Sequence, residues 1–229
     1  MSNDNLIIQN KFNLALNSHR KNNLKVAEKL YKEVLDANPN HFEAICYLGT
    51  LLAQVKKLNS AKTLFYKAIK INPNNPSINN NLGNIFFEMG DNQKALTFYE
   101  KAIQLQPNFS QTHYNIGIIY NSQGEHQKAI SKFEKVIQYE PEDIKSYNIL
   151  GKILKELREY KKALYYYEKS IKINPNNILT VNLILDFFTS IKLSNLNDID
   201  ITVIKKLILF LFEKKINHNG LFHKAKSLI

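Results

Sequence analysis

Pro39, Pro73, Pro107, Pro141 and Pro175, five of the chain's six prolines, stand 34 residues apart. A fixed period of that length marks a chain built from copies of one supersecondary unit, none of which can bury its apolar face alone. Other positions keep the same register. Counting 24 residues back from each proline gives Ala15, Gly49, Gly83, Gly117 and Gly151; counting 12 back gives Ala27, Ala61, Ala95, Ala129 and Ala163; counting 8 back gives Tyr31, Phe65, Tyr99, Phe133 and Tyr167. Leu14, Leu48, Leu82, Ile116 and Leu150 precede the first set, so each copy carries an apolar residue followed by a small one.

These residue types fit two helices packed against each other. Between Gly49 and Ala61 a polar stretch, Gln54 to Ser60, separates two segments with apolar residues at helical spacing, which reads as helix, turn, helix. Helices approach closely only where side chains are small, so the Gly and Ala positions mark the crossing of a first helix, A, over a second, B. The aromatic eight before the proline is expected to fill the space between a unit and its neighbour, and burying such a ring stabilises by about 1.5–3 kcal/mol. The proline ends helix B, because it cannot donate to the helical ladder and pushes its predecessor out of the α region. Asn follows it in four copies, as in Pro39-Asn40, and opens the next helix A. Gly90-Asp91 and Gly124-Glu125 make the turn inside two of the copies, with Asp91 as an N-cap.

At these residues the chain resembles the tetratricopeptide repeat family, whose signature is Leu-Gly, then Ala-x3-Phe, then Pro. The resemblance covers five copies from about Ile8 to Asn177, with boundaries at 8–41, 42–75, 76–109, 110–143 and 144–177. The family's early tryptophan is replaced by Lys11, Ile45, Asn79, His113 and Tyr147. The fold this implies is all-α: a right-handed α-solenoid of antiparallel helix pairs, the tetratricopeptide superhelix, with extra helices at the C-terminus. The function it implies is binding of an extended peptide or a protein partner in a concave groove lined by the A helices, without catalysis.

Carried over copy by copy, the groove positions include Asn80, Asn81, Asn84 and Phe87 in the third repeat, Tyr114, Asn115 and Ile118 in the fourth, and Lys145, Asn148 and Lys152 in the fifth. Asn13, Asn81 and Asn115 share one position, interrupted by Tyr47 and Ile149. An amide offers two donors and an acceptor, so a row of them can hold a peptide backbone whatever its sequence. In the family such a ladder precedes O-linked N-acetylglucosamine transferases. Asparagine is also abundant throughout this chain, which yields the same row by composition. Lys145, Lys152 and Lys155 share a face that suits a carboxylate, as in the family's carboxylate-clamp members, or equally a solvated face beside Glu156. Phe12, Phe87 and Tyr114 serve either as apolar groove contacts or as packing against a neighbouring helix.

Other classes find little support. The 31 basic and 20 acidic residues of the 229 leave a net charge of +11, but lysines and acids are interspersed through the B helices, +8 up to Asn177 and +3 beyond. Nucleic acid, which selects a basic face with interleaved aromatics, is not expected as a partner. A lone cysteine, Cys46, excludes an intramolecular disulfide and suits a reducing, cytoplasmic location. The start, Met-Ser-Asn-Asp-Asn, lacks the basic and apolar regions of a secretory leader, and the longest apolar run, Leu207 to Phe212, is too short to span a bilayer. The six histidines show no metal-ligand spacing with Cys or carboxylates, and no phosphate-binding loop or nucleophile elbow occurs. No enzyme, cofactor or metal is expected.

The period fails after Asn177. In residues 178–229 Leu185 stands where Gly is due, and Ile178 to Ile191 reads as a decayed helix A or a cap. A polar loop, Lys192 to Asp200, leads to Ile201–Lys215, apolar nearly all round and so expected to be buried. Residues 219–229 carry a further apolar stripe, Leu221, Phe222, Ala225, Leu228 and Ile229. These helices are expected to dock a further domain or to homodimerise. The alternative function follows: an N-terminal, substrate-recruiting segment of a glycosyltransferase, methyltransferase or sulfotransferase whose catalytic domain lies beyond residue 229.

Overall fold

The computed structural model describes residues 3–190 and 201–213. Every regular element among them is an α-helix: α1 (Asn3–Arg20), α2 (Leu24–Ala37), α3 (Phe42–Gln54), α4 (Leu58–Ile71), α5 (Pro76–Glu88), α6 (Asn92–Leu105), α7 (Ser110–Ser122), α8 (His126–Tyr139), α9 (Ile144–Glu156), α10 (Tyr160–Ile173), α11 (Ile178–Ser190) and α12 (Ile201–Glu213). The chain divides into two compact bodies, Met1–Asn115 and Ile116–Ile229, with the division inside α7. In the N-terminal body α1 packs on α2, α3 on α4 and α5 on α6, and successive pairs meet through α2 with α3 and α4 with α5. In the C-terminal body α9 packs on α10 and on α8 before it, and α11 follows against α9 and α10. The fold class is the expected one, an all-α array of antiparallel helix pairs.

The small-residue positions act inside each pair. A Cβ built on Gly49 would lie 3.0 Å from Phe65 of α4; on Gly83 and Gly151 it would come within 2.4 Å of Tyr99 and Tyr167. The glycine of helix A therefore faces the ring sixteen residues later in helix B, and the sequence reading, which put the aromatic between neighbouring repeats, is refined. The ring fills the crossing of its own pair. The Ala positions of the B helices are wholly buried.

A second periodic device was only half visible beforehand. Asn22, Lys56, Gly90, Gly124 and Arg158, again 34 apart, all have φ between 60° and 81°. Each A–B turn thus passes through the left-handed region, which is free for glycine, tolerated by asparagine and costly for other L residues. Two turns supply glycine; Lys56 and Arg158 adopt the same conformation under strain. Arg158→Gly is expected to stabilise the C-terminal body by about 1 kcal/mol, seen as a rise in thermal midpoint. An unchanged or lower midpoint would contradict the strain assigned to this turn. Asp91 caps α6 as expected, its carboxylate accepting from Lys94 N. His41 Nδ1, Asn75 and Asp143 cap α3, α5 and α9 in the same way.

At the C-terminal end α11 buries Val181, Ile184, Phe187 and Phe188. The expectation that the last long helix is buried all round is corrected. In α12 Ile204, Leu207 and Ile208 are buried, while Leu209 is 58% exposed and Lys205 and Lys206 face solvent. Lys206 Nζ reaches Glu168 of α10, which also holds Lys172, and these lysines keep the Glu168 carboxyl below its usual range. The loop placed at Lys192 to Asp200 and the stripe at residues 219–229 lie outside the described residues. No described helix is long and apolar enough to cross a membrane.

Candidate functional site: the faces of the A helices

The A helices of the N-terminal body meet directly, α1 with α3 and α3 with α5. The side chains at their seams decide what these faces can offer a partner. Where α5 meets the first half of α7, Asn115 Nδ2 donates to Asn84 Oδ1 at 2.8 Å and to Asn80 Oδ1 at 3.3 Å. Asn84 Oδ1 also accepts from the Tyr99 hydroxyl at 2.7 Å, Asn80 Oδ1 accepts from Thr112 Oγ1 at 3.0 Å, and Asn115 Oδ1 accepts from Gln111. Burial pushes the Tyr99 hydroxyl well above the usual range, so it stays protonated and able to donate.

The same three places at the first seam hold Phe12, Tyr31 and Tyr47. There they form an aromatic cluster, with Tyr47 stacked on Tyr31 at 6.2 Å and Phe12 tilted 5.9 Å from Tyr47. Burial, then the nearby Tyr47, pushes the Tyr31 hydroxyl up to about 12. One set of positions thus joins A helices by rings in one seam and by amides in another.

In the C-terminal body the counterpart of Asn80 is Asn148. Its Nδ2 donates to Thr180 Oγ1 at 2.9 Å, and its Oδ1 accepts from Ser170 Oγ at 2.7 Å, tying α9 to α10 and α11. The counterpart of Asn84 is Lys152, so Tyr167, which matches Tyr99, has no amide above it. Its buried hydroxyl finds no hydrogen-bond partner among the described residues.

Two of the expected groove residues are therefore corrected. Asn80 and Asn148 are 5% and 3% exposed and belong to the internal seams, because each amide is enclosed by Thr or Ser from neighbouring helices. Phe12, read as either a groove contact or a packing residue, packs inward among His41, Tyr31 and Tyr47. Asn84 and Asn115 are half-buried and bonded to each other, whereas Asn81, also half-buried, makes no side-chain hydrogen bond among the described residues. Phe87, Lys145 and Lys152 are exposed, and Tyr114 and Ile118 half-buried. Lys155, read with them, is instead ion-paired to Asp186 of α11 at 2.5 Å. Cys46, half-buried on α3, has its thiol pushed up to about 11 by burial and then by Glu43, which leaves it a poor nucleophile.

A separate cleft of about 540 Å³ lies on the B-helix side of the C-terminal body. Ile130, Leu154, Tyr165 and Tyr166 line it, with Glu134 bonded to the Tyr166 hydroxyl. None of the expected groove residues reaches it. No cluster of three or more His, Cys, Asp or Glu suited to a metal ion occurs among the described residues.

This arrangement of helix pairs, with a glycine under an aromatic ring at four of the crossings and Ala15 at the first, defines a helical-repeat protein. Models of the family described as "TPR repeat" match residues 49–90 and 83–122, and those described as "Tetratricopeptide repeat" match 110–143 and 144–177. The chain belongs to the tetratricopeptide repeat family. It is similar to the crystal structure of MamA, at 27% identity over 70% of this chain and 94% of that one, with a TM-score of 0.64. It also shares its fold with PilF of Pseudomonas aeruginosa, at 17% identity over 98% of this chain and 99% of that one, TM-score 0.73. A third likeness is YrrB, described as a TPR protein with an unusual peptide-binding site, at 22% identity over 75% and 89%, TM-score 0.59. A search of curated proteins found no match.

Proposed function

We infer that this tetratricopeptide protein, as an interaction scaffold, holds an extended peptide against the A-helix face of its N-terminal body. The single observation that carries this reading is the exposed neighbourhood of α5. Among the described residues Asn81 has an amide with no side-chain partner, the half-buried Asn84 retains both Nδ2 donors because only its oxygen is engaged, and Phe87 presents an exposed ring. Free amide donors beside an apolar ring match what an extended backbone with an occasional apolar side chain requires. In the C-terminal body Lys145 and Lys152 form a separate basic face on α9 that would favour acidic residues. The reading needs no chemistry from the chain.

The test is an array of random dodecapeptides probed with the full chain and with Asn81→Ala and Phe87→Ala. Loss of about tenfold in affinity for the selected peptides, with an unchanged thermal midpoint, is the expected outcome. Equal binding by the wild-type chain and both variants would overturn the assignment to this face.

A further inference from the structure

The cleft between α8 and α10 departs from the repeat at one position. Thr63, Thr97 and Ser131 stand 34 residues apart in three successive copies, and Thr63 and Thr97 donate back to their own helices, to the carbonyls of Asn59 and Gln93. Tyr165, next in that series, instead presents a ring that is 52% exposed. Its plane stands at 75° to that of Tyr166, with ring centroids 5.2 Å apart, and both rings line the cleft together with the buried Ile130 and Leu154. Such a corner of rings takes in an apolar side chain. Lys169 already lies against the Tyr165 ring, 5.4 Å from its centroid, so a cation is at home beside it.

The charges of the cleft select what accompanies that side chain. Glu168, one repeat after Glu134, holds Lys172 of its own helix at 2.9 Å and Lys206 of α12 at 3.2 Å. At Glu134 both cations give way to neutral groups: Gln138 stands where Lys172 does, and the Tyr166 hydroxyl donates from the next helix at 3.0 Å. Burial, then Glu134 itself, pushes that hydroxyl well above its usual range, so it stays neutral and leaves the carboxylate charge uncompensated. Among the described residues the exposed Glu134 makes no ion pair. Of the other charges on the cleft, Glu159 is paired with Lys162 at 2.5 Å, whereas Lys161, on the first turn of α10, is unpaired among the described residues. Gln127, one repeat before Lys161, precedes Glu134 by seven residues, about 10 Å along the axis of α8. The cleft thus offers an unpaired cation at one end, an unpaired anion at the other, and apolar walls between them.

We propose that this cleft binds a peptide segment of a partner protein that presents an apolar side chain between a basic and an acidic residue, the basic one meeting Glu134 and the acidic one Lys161. The site lies on α8 and α10 and is independent of the A-helix face of the N-terminal body. The experiment selects random dodecapeptides displayed on phage against the full chain. Synthetic copies of the selected peptides are then measured on the wild-type chain and on Tyr165→Ser, Glu134→Lys and Lys161→Glu. Tyr165→Ser returns an exposed position to the hydroxyl side chain of the earlier copies, and its thermal midpoint should stay unchanged. One class of peptides is expected to bind Asn81→Ala and Phe87→Ala as it binds the wild type, yet to lose at least about tenfold in affinity for Tyr165→Ser. Within that class Glu134→Lys should weaken binding about tenfold, and exchanging the peptide's basic residue for glutamate should restore it on that variant. Lys161→Glu should respond in the same way to exchange of the acidic residue for lysine. A variant that had lost its fold could not gain affinity for the exchanged peptide, so restoration reports on the charge pairing itself. Selection that yields no peptide dependent on Tyr165 overturns the proposal. Tyr165-dependent peptides that lack either charge, or that are indifferent to either charge reversal, overturn it equally.

Discussion

Asn148→Ala is expected to destabilise the C-terminal body by about 2 kcal/mol, a cost far above that of an ordinary surface substitution. The amide is buried, and both of its ends are used: Nδ2 on Thr180 and Oδ1 on Ser170. Truncation removes the donor to Thr180 and the acceptor for Ser170, leaving these hydroxyls to satisfy each other across 2.9 Å, and it opens a void between α9, α10 and α11. Removing the whole network should cost much less. Asn148→Leu with Ser170→Ala and Thr180→Val replaces every polar group by an apolar one of similar size, and no donor or acceptor is left without a partner. Urea unfolding, with hydrogen exchange of the α9 and α11 amides as the local readout, measures both. A single variant within about 0.5 kcal/mol of the wild type would place this amide at the surface, where it could again be counted among groove residues.

That prediction turns on the kind of information a sequence of this type carries. Period and residue size were legible because each copy repeats the same steric problem. Gly83 could be assigned to a helix crossing from residue size and spacing, and the helix pairs follow, whereas the place of Tyr99 inside its own pair could not. Side-chain direction within helix A was not legible. Asn80 and Asn81 are adjacent and chemically identical, yet one is sealed against Thr112 and the other only half-buried. The register did contain a signal: Thr112 and Thr180 stand 32 residues after Asn80 and Asn148, so a buried Asn–Thr pair recurs at two seams. The exchange of Phe12, Tyr31 and Tyr47 for Asn80, Tyr99 and Asn115 carried the complementary clue, since positions that alternate between rings and amides are packing positions first. The left-handed turns at Lys56 and Arg158 were hidden because neither residue type announces a positive φ, although both lie in register with Gly90 and Gly124.

The glycine code itself predicts a graded response. Gly83→Ala should destabilise the N-terminal body by about 2 kcal/mol, the balance of roughly 3 kcal/mol of overpacking against about 1 kcal/mol returned by alanine's better helix propensity. Gly49→Ala should be near neutral. Both glycines lie mid-helix and receive the same propensity gain, so the difference lies in the ring each one faces. At Gly49 the new methyl would stand 3.0 Å from Phe65, and a small shift of that ring relieves the contact. At Gly83 it would come within 2.4 Å of Tyr99, whose ring is buried and whose hydroxyl is held by Asn84. The ring cannot withdraw without breaking that bond. A double-mutant cycle with Tyr99→Leu isolates the steric part: the alanine should cost markedly less once the ring is gone, giving a coupling of about 1 kcal/mol or more. Equal costs for Gly49→Ala and Gly83→Ala, or additive effects in the cycle, would show that the glycine serves backbone freedom rather than the close passage of helix A over the ring of helix B.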